Sequence, residues 1–347
     1  MFMKWIILLS LLPSALFAQG FAGLGSGADG FAVPKRGAPI IFPEDHAAHP
    51  DYRIEWWYLT ANLKGPDGTD YGLQWTLFRS ALAPTSGEGW GDAQIWMGHG
   101  AVTTPTQHFV AERLARGGVG QAGVTLGDSF EAWIDEWHLR GAADWSALDL
   151  HAAGPDFSYT MKLMAEGPLV LQGEEGYSVK SAAGQASYYY SQPFFNIEGN
   201  LSLTGGDIPV TGNAWLDREW SSQPLASDQT GWDWFSLSFD SGAKMMGFVL
   251  RSDETADYTS ATWIEADGSA TALPNGAFRA KALEQSQVKG RSVPTTWQLT
   301  LPEHSVDITV SALNPKAWME TSVAYWEGPI LIEGSHTGRG YLEMTGY

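Results

Sequence analysis

Ile54-Glu55-Trp56-Trp57-Tyr58-Leu59-Thr60-Ala61-Asn62-Leu63, closed by Lys64-Gly65-Pro66-Asp67-Gly68 and answered by the arm 71–79, is the stretch that decides the fold class. Aromatic and aliphatic residues dominate both arms, and a Gly/Pro/Asp cluster separates them. The segment therefore reads as a β-hairpin with a loop of about five residues. The same punctuation recurs along the chain, giving strand candidates at 130–139, 156–165, 201–204, 213–220, 232–239, 244–251, 296–301 and 305–310. The segment 278–283 is too short and too poorly periodic for a helix. Short alternating runs broken by turn residues, with helices scarce, predict an antiparallel all-β protein.

The opening hairpin has a counterpart. Glu55-Trp56-Trp57-Tyr58 starts a strand that returns to end at Phe78-Arg79; Trp232-Asp233-Trp234-Phe235 starts another that turns at Ser241-Gly242 and returns to Leu250-Arg251. Each copy sets an acidic residue beside paired Trp residues and ends on an Arg. A duplicated β unit is the expectation, with the halves dividing at 182/183 inside a Gly/Ser/Ala-rich stretch.

Composition narrows the function classes. The 347 residues include 17 Trp, 15 Phe and 12 Tyr, a richness that suits either a large core or the walls of an apolar pocket. A formal net charge of −19 would repel phosphate backbones, so nucleic acid is excluded as a partner. There is no cysteine, hence no disulfide, thiolate metal site or thiol nucleophile. Lys4 precedes an apolar run from Trp5 to Phe17, with Ala18 as the expected cleavage point and Ala22 as a second candidate. The expected organisation is a signal peptide at 1–18, a flexible linker at 19–32, and β domains at 33–182 and 183–347. The mature chain is expected in the periplasm or outside the cell.

Taken in order, the motifs resemble a known family. Glu55-Trp56-Trp57-Tyr58-Leu59-Thr60, Tyr71-Gly72-Leu73-Gln74 and Leu77-Phe78-Arg79 occupy the first half. Tyr188-Tyr189-Tyr190-Ser191-Gln192-Pro193, Trp215-Leu216-Asp217-Arg218-Glu219-Trp220-Ser221-Ser222 and Gly231-Trp232-Asp233-Trp234-Phe235 occupy the second. This succession resembles the AttH-like branch of the carotenoid 1,2-hydratase (hydroxyneurosporene synthase) family over nearly the whole mature chain. The resemblance implies two lipocalin-like antiparallel β-barrel domains in tandem. It also implies that Asp217 stands where the hydratases carry a general acid, with Trp215 where they carry a Tyr. Arg218-Glu219 departs from the His-Asn that tends to follow the Asp in those enzymes.

The residues themselves leave alternatives open. If 213–220 is a strand, Asn213, Trp215, Asp217 and Glu219 share one face, and Ala214, Leu216, Arg218 and Trp220 the other. Two carboxylates beside a Trp belong on a solvated face, in an ion pair with an Arg such as Arg79 or Arg251, or at the wall of a cavity. In an apolar cavity Asp217 could carry a proton to an alkene and aromatic faces could steady the cation; Arg218 beside it in sequence would instead favour the carboxylate. The candidate cavity residues are Tyr188, Tyr190, Trp215, Asp217, Glu219, Trp232 and Trp234, with Glu55, Trp57 and Arg79 as N-terminal counterparts, although Glu55–Arg79 reads as a structural pair before it reads as a site.

The leading expectation is a binder of a hydrophobic lipid or isoprenoid in a Trp-rich barrel. A hydratase is the alternative, and a carbohydrate-active protein using Asp217 with Glu219, or Glu131 with Asp135, the second. Contact with a membrane or membrane protein, and the oligomeric state, stay open. No metal or cofactor is expected. His46 and His49 sit in a polar, Pro-bounded segment where exposure is the default, and His99, His108 and His138 form no ligand motif. Neither a phosphate-binding Gly-rich loop nor a Gly-x-Ser-x-Gly elbow is present.

Overall fold

The computed structural model describes residues 28–84, 87–223, 225–226 and 228–347, so the expected signal peptide and part of the expected linker lie outside the described residues. Strand accounts for 61% of the structure and helix for 3%, as an all-β protein requires. The first sheet contains β1 (Ile54–Lys64), β2 (Asp70–Ala81), β3 (Gln94–Thr103), β4 (His108–Arg116), β5 (Ala122–Leu126), β6 (Ser129–Ile134), β7 (Trp137–Ala142), β8 (Ala147–Ala153), β9 (Phe157–Ala165), β10 (Val170–Leu171), β11 (Tyr177–Val179), β12 (Ala186–Leu203) and β13 (Gly206–Ser221). The second contains β14 (Gln229–Phe239), β15 (Lys244–Ser252), β16 (Tyr258–Ile264), β17 (Ala270–Leu273), β18 (Arg279–Val288), β19 (Arg291–Leu301), β20 (Val306–Ala312), β21 (Trp318–Met319), β22 (Tyr325–Gly334) and β23 (Gly338–Met344). They form tandem lipocalin-like β domains: the first sheet is a nearly closed barrel and the second a half-barrel.

The two sheets repeat one wiring plan. In the first, β1 pairs with β2 on one side and with the last strand, β13, on the other. In the second, β14 pairs with β15 and with the last strand, β23. The hairpins matched in the sequence are thus the opening hairpins of both sheets, and Glu55–Arg79 and Asp233–Arg251 are ion pairs in each. The changeover between sheets falls between Ser221 and Gln229, well beyond 182/183. Strands β12 and β13, assigned in sequence to the second half, close the first sheet because β13 pairs with β1 and β12 with β9.

Most of the expected strands are present, several of them longer than expected. The run 130–139 is instead two strands, because Asp135 takes a left-handed turn conformation (φ 51°) between β6 and β7. Strand β12 carries a bulge between Gln192 and Phe195, where Pro193 cannot donate to the ladder. Among the described residues no helix is long and apolar enough to cross a membrane.

Among the described residues, strand alternation builds three large apolar clusters and a small fourth around Ala101, Met319 and Tyr325. One fills the first barrel around Trp57, Trp75, Trp137, Trp145 and Tyr159; another fills the concave face of the second sheet around Phe235, Trp297 and Trp326. The third lies between the sheets, where Tyr58, Tyr189 and Trp215 of the first meet Trp234, Met246 and Phe248 of the second. Gly72 lets the sheets approach: a Cβ there would stand 2.5 Å from Pro329 Cγ and 2.9 Å from the Tyr341 hydroxyl. Further bonds join the sheets, including His99 Nδ1 with the Tyr325 hydroxyl at 3.0 Å and Ser322 Oγ donating to Glu112 at 2.7 Å.

Candidate active site

The expected cavity lies between the sheets, not within a barrel. The first barrel's interior is packed with Trp and Tyr, so the Trp richness there is core. The cleft opens instead on the outer face of β1, β2, β12 and β13, opposite β14, β15 and β23. It is narrow, with about 90 Å³ open to the centre of a water molecule. Its walls are largely aromatic and aliphatic: Trp56, Tyr58, Tyr189, Trp232, Trp234 and Phe248 contribute.

Alternation along β13 sorts that strand as expected. Asp217 and Glu219 face the cleft, whereas Leu216 and Trp220 join the barrel core. Arg218, on the inner face, reaches Glu55 and lies 3.8 Å from the Trp57 ring centre. It therefore does not neutralise Asp217. Neither Arg79 nor Arg251 pairs with the β13 carboxylates; Arg79 pairs with Glu55, and Arg251 with Asp233 at 2.5 Å. Glu219 instead takes a hydrogen bond from Ser187 and an ion pair from Lys180 at 2.7 Å.

Asp217 is 2% exposed and surrounded by donors. Ser191 Oγ and Trp215 Nε1 donate to its Oδ1 at 2.5 and 2.6 Å, and the Tyr189 hydroxyl donates to Oδ2 at 2.7 Å. Two of these hydroxyls are also braced from behind, which leaves their protons free for Asp217. Ser191 Oγ accepts from Gln172 Nε2 at 2.8 Å, and Tyr189 accepts from Trp234 Nε1 at 3.0 Å. A carboxylate has about four acceptor positions, so the one left over is on Oδ2, and that is where a proton can reside. Burial pushes the Asp217 carboxyl up, the three hydrogen bonds pull it back, nearby Glu219 pushes it further, and the result is about 7.

One acid from the second sheet, Glu343, lines the cleft, and a second, Glu327, lies behind it against Tyr58. Trp232 Nε1 donates to Glu343 at 2.6 Å, and burial raises Glu343 to about 7 against that bond. The Tyr58 hydroxyl donates to Glu327 at 2.5 Å; burial and then Glu343 hold the Glu327 carboxyl well above its ordinary range. Lys180, whose amine lies 4.4 Å from the Phe248 ring centre and 4.9 Å from that of Tyr189, is the lysine among the cleft's lining residues. The cleft can thus present protonated carboxyls to an apolar molecule at neutral pH.

Of the residues singled out in sequence, Asp217, Glu219, Trp232 and Trp234 meet in this cleft, with Trp215 packed behind Asp217. Tyr188, Tyr190 and Trp57 turn into the barrel core instead. Register explains the miss: across the β12–β13 ladder Tyr189 stands opposite Glu219 and Ser191 opposite Asp217, so the intervening tyrosines share the Arg218 face. Glu55 and Arg79 border the cleft, but their charged ends are engaged with each other, with Arg218 and with the backbone oxygens of His49 and Tyr52.

On β1 the cleft-facing residues are Trp56 and Tyr58, one position off those expected; Glu343 and Lys180 carried no sequence signal. His46, expected in solvent, is fully buried: it stacks on Trp145 at 3.8 Å, bonds the Tyr190 hydroxyl at 2.6 Å, and is held neutral by burial, down to about 3. His49 stacks on Trp220 at 4.0 Å. Glu131 and Asp135 lie on the β6–β7 hairpin, away from the cleft, with Asp135 accepting from Gln121 at 2.9 Å. The described residues include no group of three metal-ligating side chains.

The AttH-like family model matches residues 33–347. The chain belongs to the AttH-like family. A crystal structure of the AttH (NE1406) of Nitrosomonas europaea is 32% identical to this AttH-like chain, covers 91% of it and 99% of its own length, and superposes with a TM-score of 0.83. Kievitone hydratase from Nectria haematococca shares the fold at 15% identity, with 91% and 96% coverage and a TM-score of 0.68. CghA with Sch210972 does so at 14% identity, with 92% and 97% coverage and a TM-score of 0.58. No curated protein matches the chain.

Proposed function

We propose that this AttH-like protein binds an apolar, unsaturated molecule in the cleft between its sheets and that Asp217 protonates it, the reaction being hydration of a carbon–carbon double bond. The observation that carries this reading is Asp217 itself: a buried carboxyl raised to about 7, bordering an aromatic cleft, with one acceptor position free for its proton. Donation from Asp217 Oδ2 forms a C–H bond as the π bond breaks and leaves a cation on the adjacent carbon. The rings of Trp234, Trp232 and Tyr189 are placed to steady that cation. Water then adds to it, and the proton it sheds returns to the Asp217 carboxylate. Membership of a fold group that includes a protein called kievitone hydratase agrees with this chemistry. The apolar run behind Lys4 supports export of the chain, so the substrate would be met outside the cytoplasm.

The second reading is a carrier that binds the same ligand without changing it. Three donors converging on Asp217 favour it, because that arrangement also holds a carboxylate. Native mass spectrometry and organic extraction of protein purified from its own periplasm separate the two. Product released by wild type, with unreacted precursor trapped by Asp217→Asn, supports the hydratase. The same unaltered ligand on both supports the carrier, and no hydrophobic ligand on either removes both.

A further inference from the structure

The space between the sheets has a second opening, farther along the same strand faces. On β1, Trp56 and Tyr58 of the cleft give way to Thr60 and Asn62; on β14, Trp232 and Trp234 give way to Ser236 and Ser238. The groove so formed is roomier than the cleft, with about 840 Å³ open to the centres of water molecules. Trp215 stands at the join, lining the groove while its Nε1 bonds Asp217 on the cleft side.

Lys244 is the cation here that no carboxylate neutralises. Of the four buried cations among the described residues, Arg79 and Arg218 pair with Glu55 and Lys180 with Glu219, but Lys244 has no ion pair within that set. It is 8% exposed. Its amine donates to Ser238 Oγ at 3.1 Å and lies 5.2 Å from the Phe194 ring centre. An ammonium has three donors, so donating capacity remains.

The other charged groups lining the groove are Lys64, Arg339, Asp240 and Glu333. Lys64 and Arg339 are held by Asp70 at 3.1 and 2.7 Å, and Asp240 accepts from Thr337 at 2.6 Å. Burial pulls Lys244 down to about 8. A desolvated ammonium without a counter-ion, facing a polar groove, is an arrangement that a bound anion completes.

We infer that this groove is a second ligand site, in which the Lys244 ammonium and the Ser238 hydroxyl hold the anionic group, carboxylate or phosphate, of an amphipathic molecule. The site does not depend on catalysis at Asp217.

Calorimetric titration of the full chain with decanoate and decyl phosphate, with decanol as the neutral control, tests it. Wild type is expected to bind both anions at least about tenfold more tightly than decanol, the loss of one charge-assisted hydrogen bond being worth that much. Lys244→Met is expected to erase the difference while leaving decanol binding unchanged. Competition with inorganic phosphate then separates the sources. Failure to displace decyl phosphate upholds an amphiphile's headgroup as the ligand; displacement points to free phosphate and overturns the amphiphile. Equal anion binding by wild type and Lys244→Met, or no preference for anions in wild type, overturns it. Should Lys244→Met not fold, amine-detected NMR of wild type decides. Bound decanoate is expected to move the Lys244 titration upward from about 8, and an unmoved titration overturns the site.

Discussion

Trp215 and Asp217 stand two residues apart on one face of β13, and the indole Nε1 of the first donates to the carboxyl Oδ1 of the second at 2.6 Å. Together with Ser191 on the same oxygen, the bond fills Oδ1 and leaves Oδ2 as the end of the carboxyl that can carry a proton. A Trp at this position thus orients the acid as well as walling it from solvent. Trp215→Phe keeps the wall and removes the donor. Since a hydrogen bond to the carboxylate form favours ionisation, the Asp217 titration is expected to rise above about 7 in this variant. Carboxyl infrared spectroscopy across pH checks it.

Asp217→Asn is expected to lower turnover of the natural substrate by on the order of 100- to 10,000-fold, with ligand affinity changed little, because the amide keeps the shape and most of the hydrogen bonds. Single-turnover kinetics on the ligand recovered by extraction measure this. A fall in affinity with turnover intact would give Asp217 a binding role.

Stability should carry the same signature with a definite sign. A carboxyl raised in the folded state holds its proton more tightly folded than unfolded. Its stabilisation is full below the unfolded value, about 4, and is lost as pH rises through about 7 for Asp217 and Glu343. Wild type is therefore expected to lose urea resistance between pH 5 and pH 8, and Asp217→Asn to lose less. Glu55 acts in the opposite direction: burial opposes its charge, but Arg218 and Arg79 hold it well below its ordinary value. Its contribution is present above the unfolded value and is lost as pH falls through its depressed folded value.

Breaking the Arg79–Glu55–Arg218 cluster from its centre leaves two buried guanidinium groups short of a partner. Glu55→Gln is expected to cost about 3–5 kcal/mol, read from urea denaturation at pH 7. A cost under about 1 kcal/mol would show the cluster to be solvated.

Much of the fold was legible because alternation and turn chemistry are local. The hairpin at Gly65–Gly68, the matched hairpin at Ser241-Gly242 and the two faces of β13 all followed from period two and Gly placement. The site was legible only in part, because its assembly depends on register and on sheet-to-sheet docking. Tyr189 belongs to it and its neighbours Tyr188 and Tyr190 do not, a choice set by the ladder that puts Tyr189 opposite Glu219. Glu343 and Tyr58 enter from strands far apart in sequence, brought together by the docking of one sheet on the other. His46 shows the converse: a polar-looking segment folds into the barrel and buries its ring against Trp145.

That docking is itself testable. Gly72→Ala places a methyl where Pro329 and Tyr341 stand, and is expected to destabilise the protein by about 1–3 kcal/mol and to loosen the cleft. Urea denaturation together with the fluorescence of the cleft tryptophans reads both effects; an unchanged midpoint would mean the sheets separate freely there.

The most direct measurement is the protonation state of Asp217 itself, from isotope-edited infrared difference spectra of wild type against Asp217→Asn between pH 4 and 9. The expected result is a protonated carboxyl band that persists at pH 6 and disappears with a midpoint near 7. A carboxylate already formed at pH 5 would contradict its role as the proton donor of the cleft.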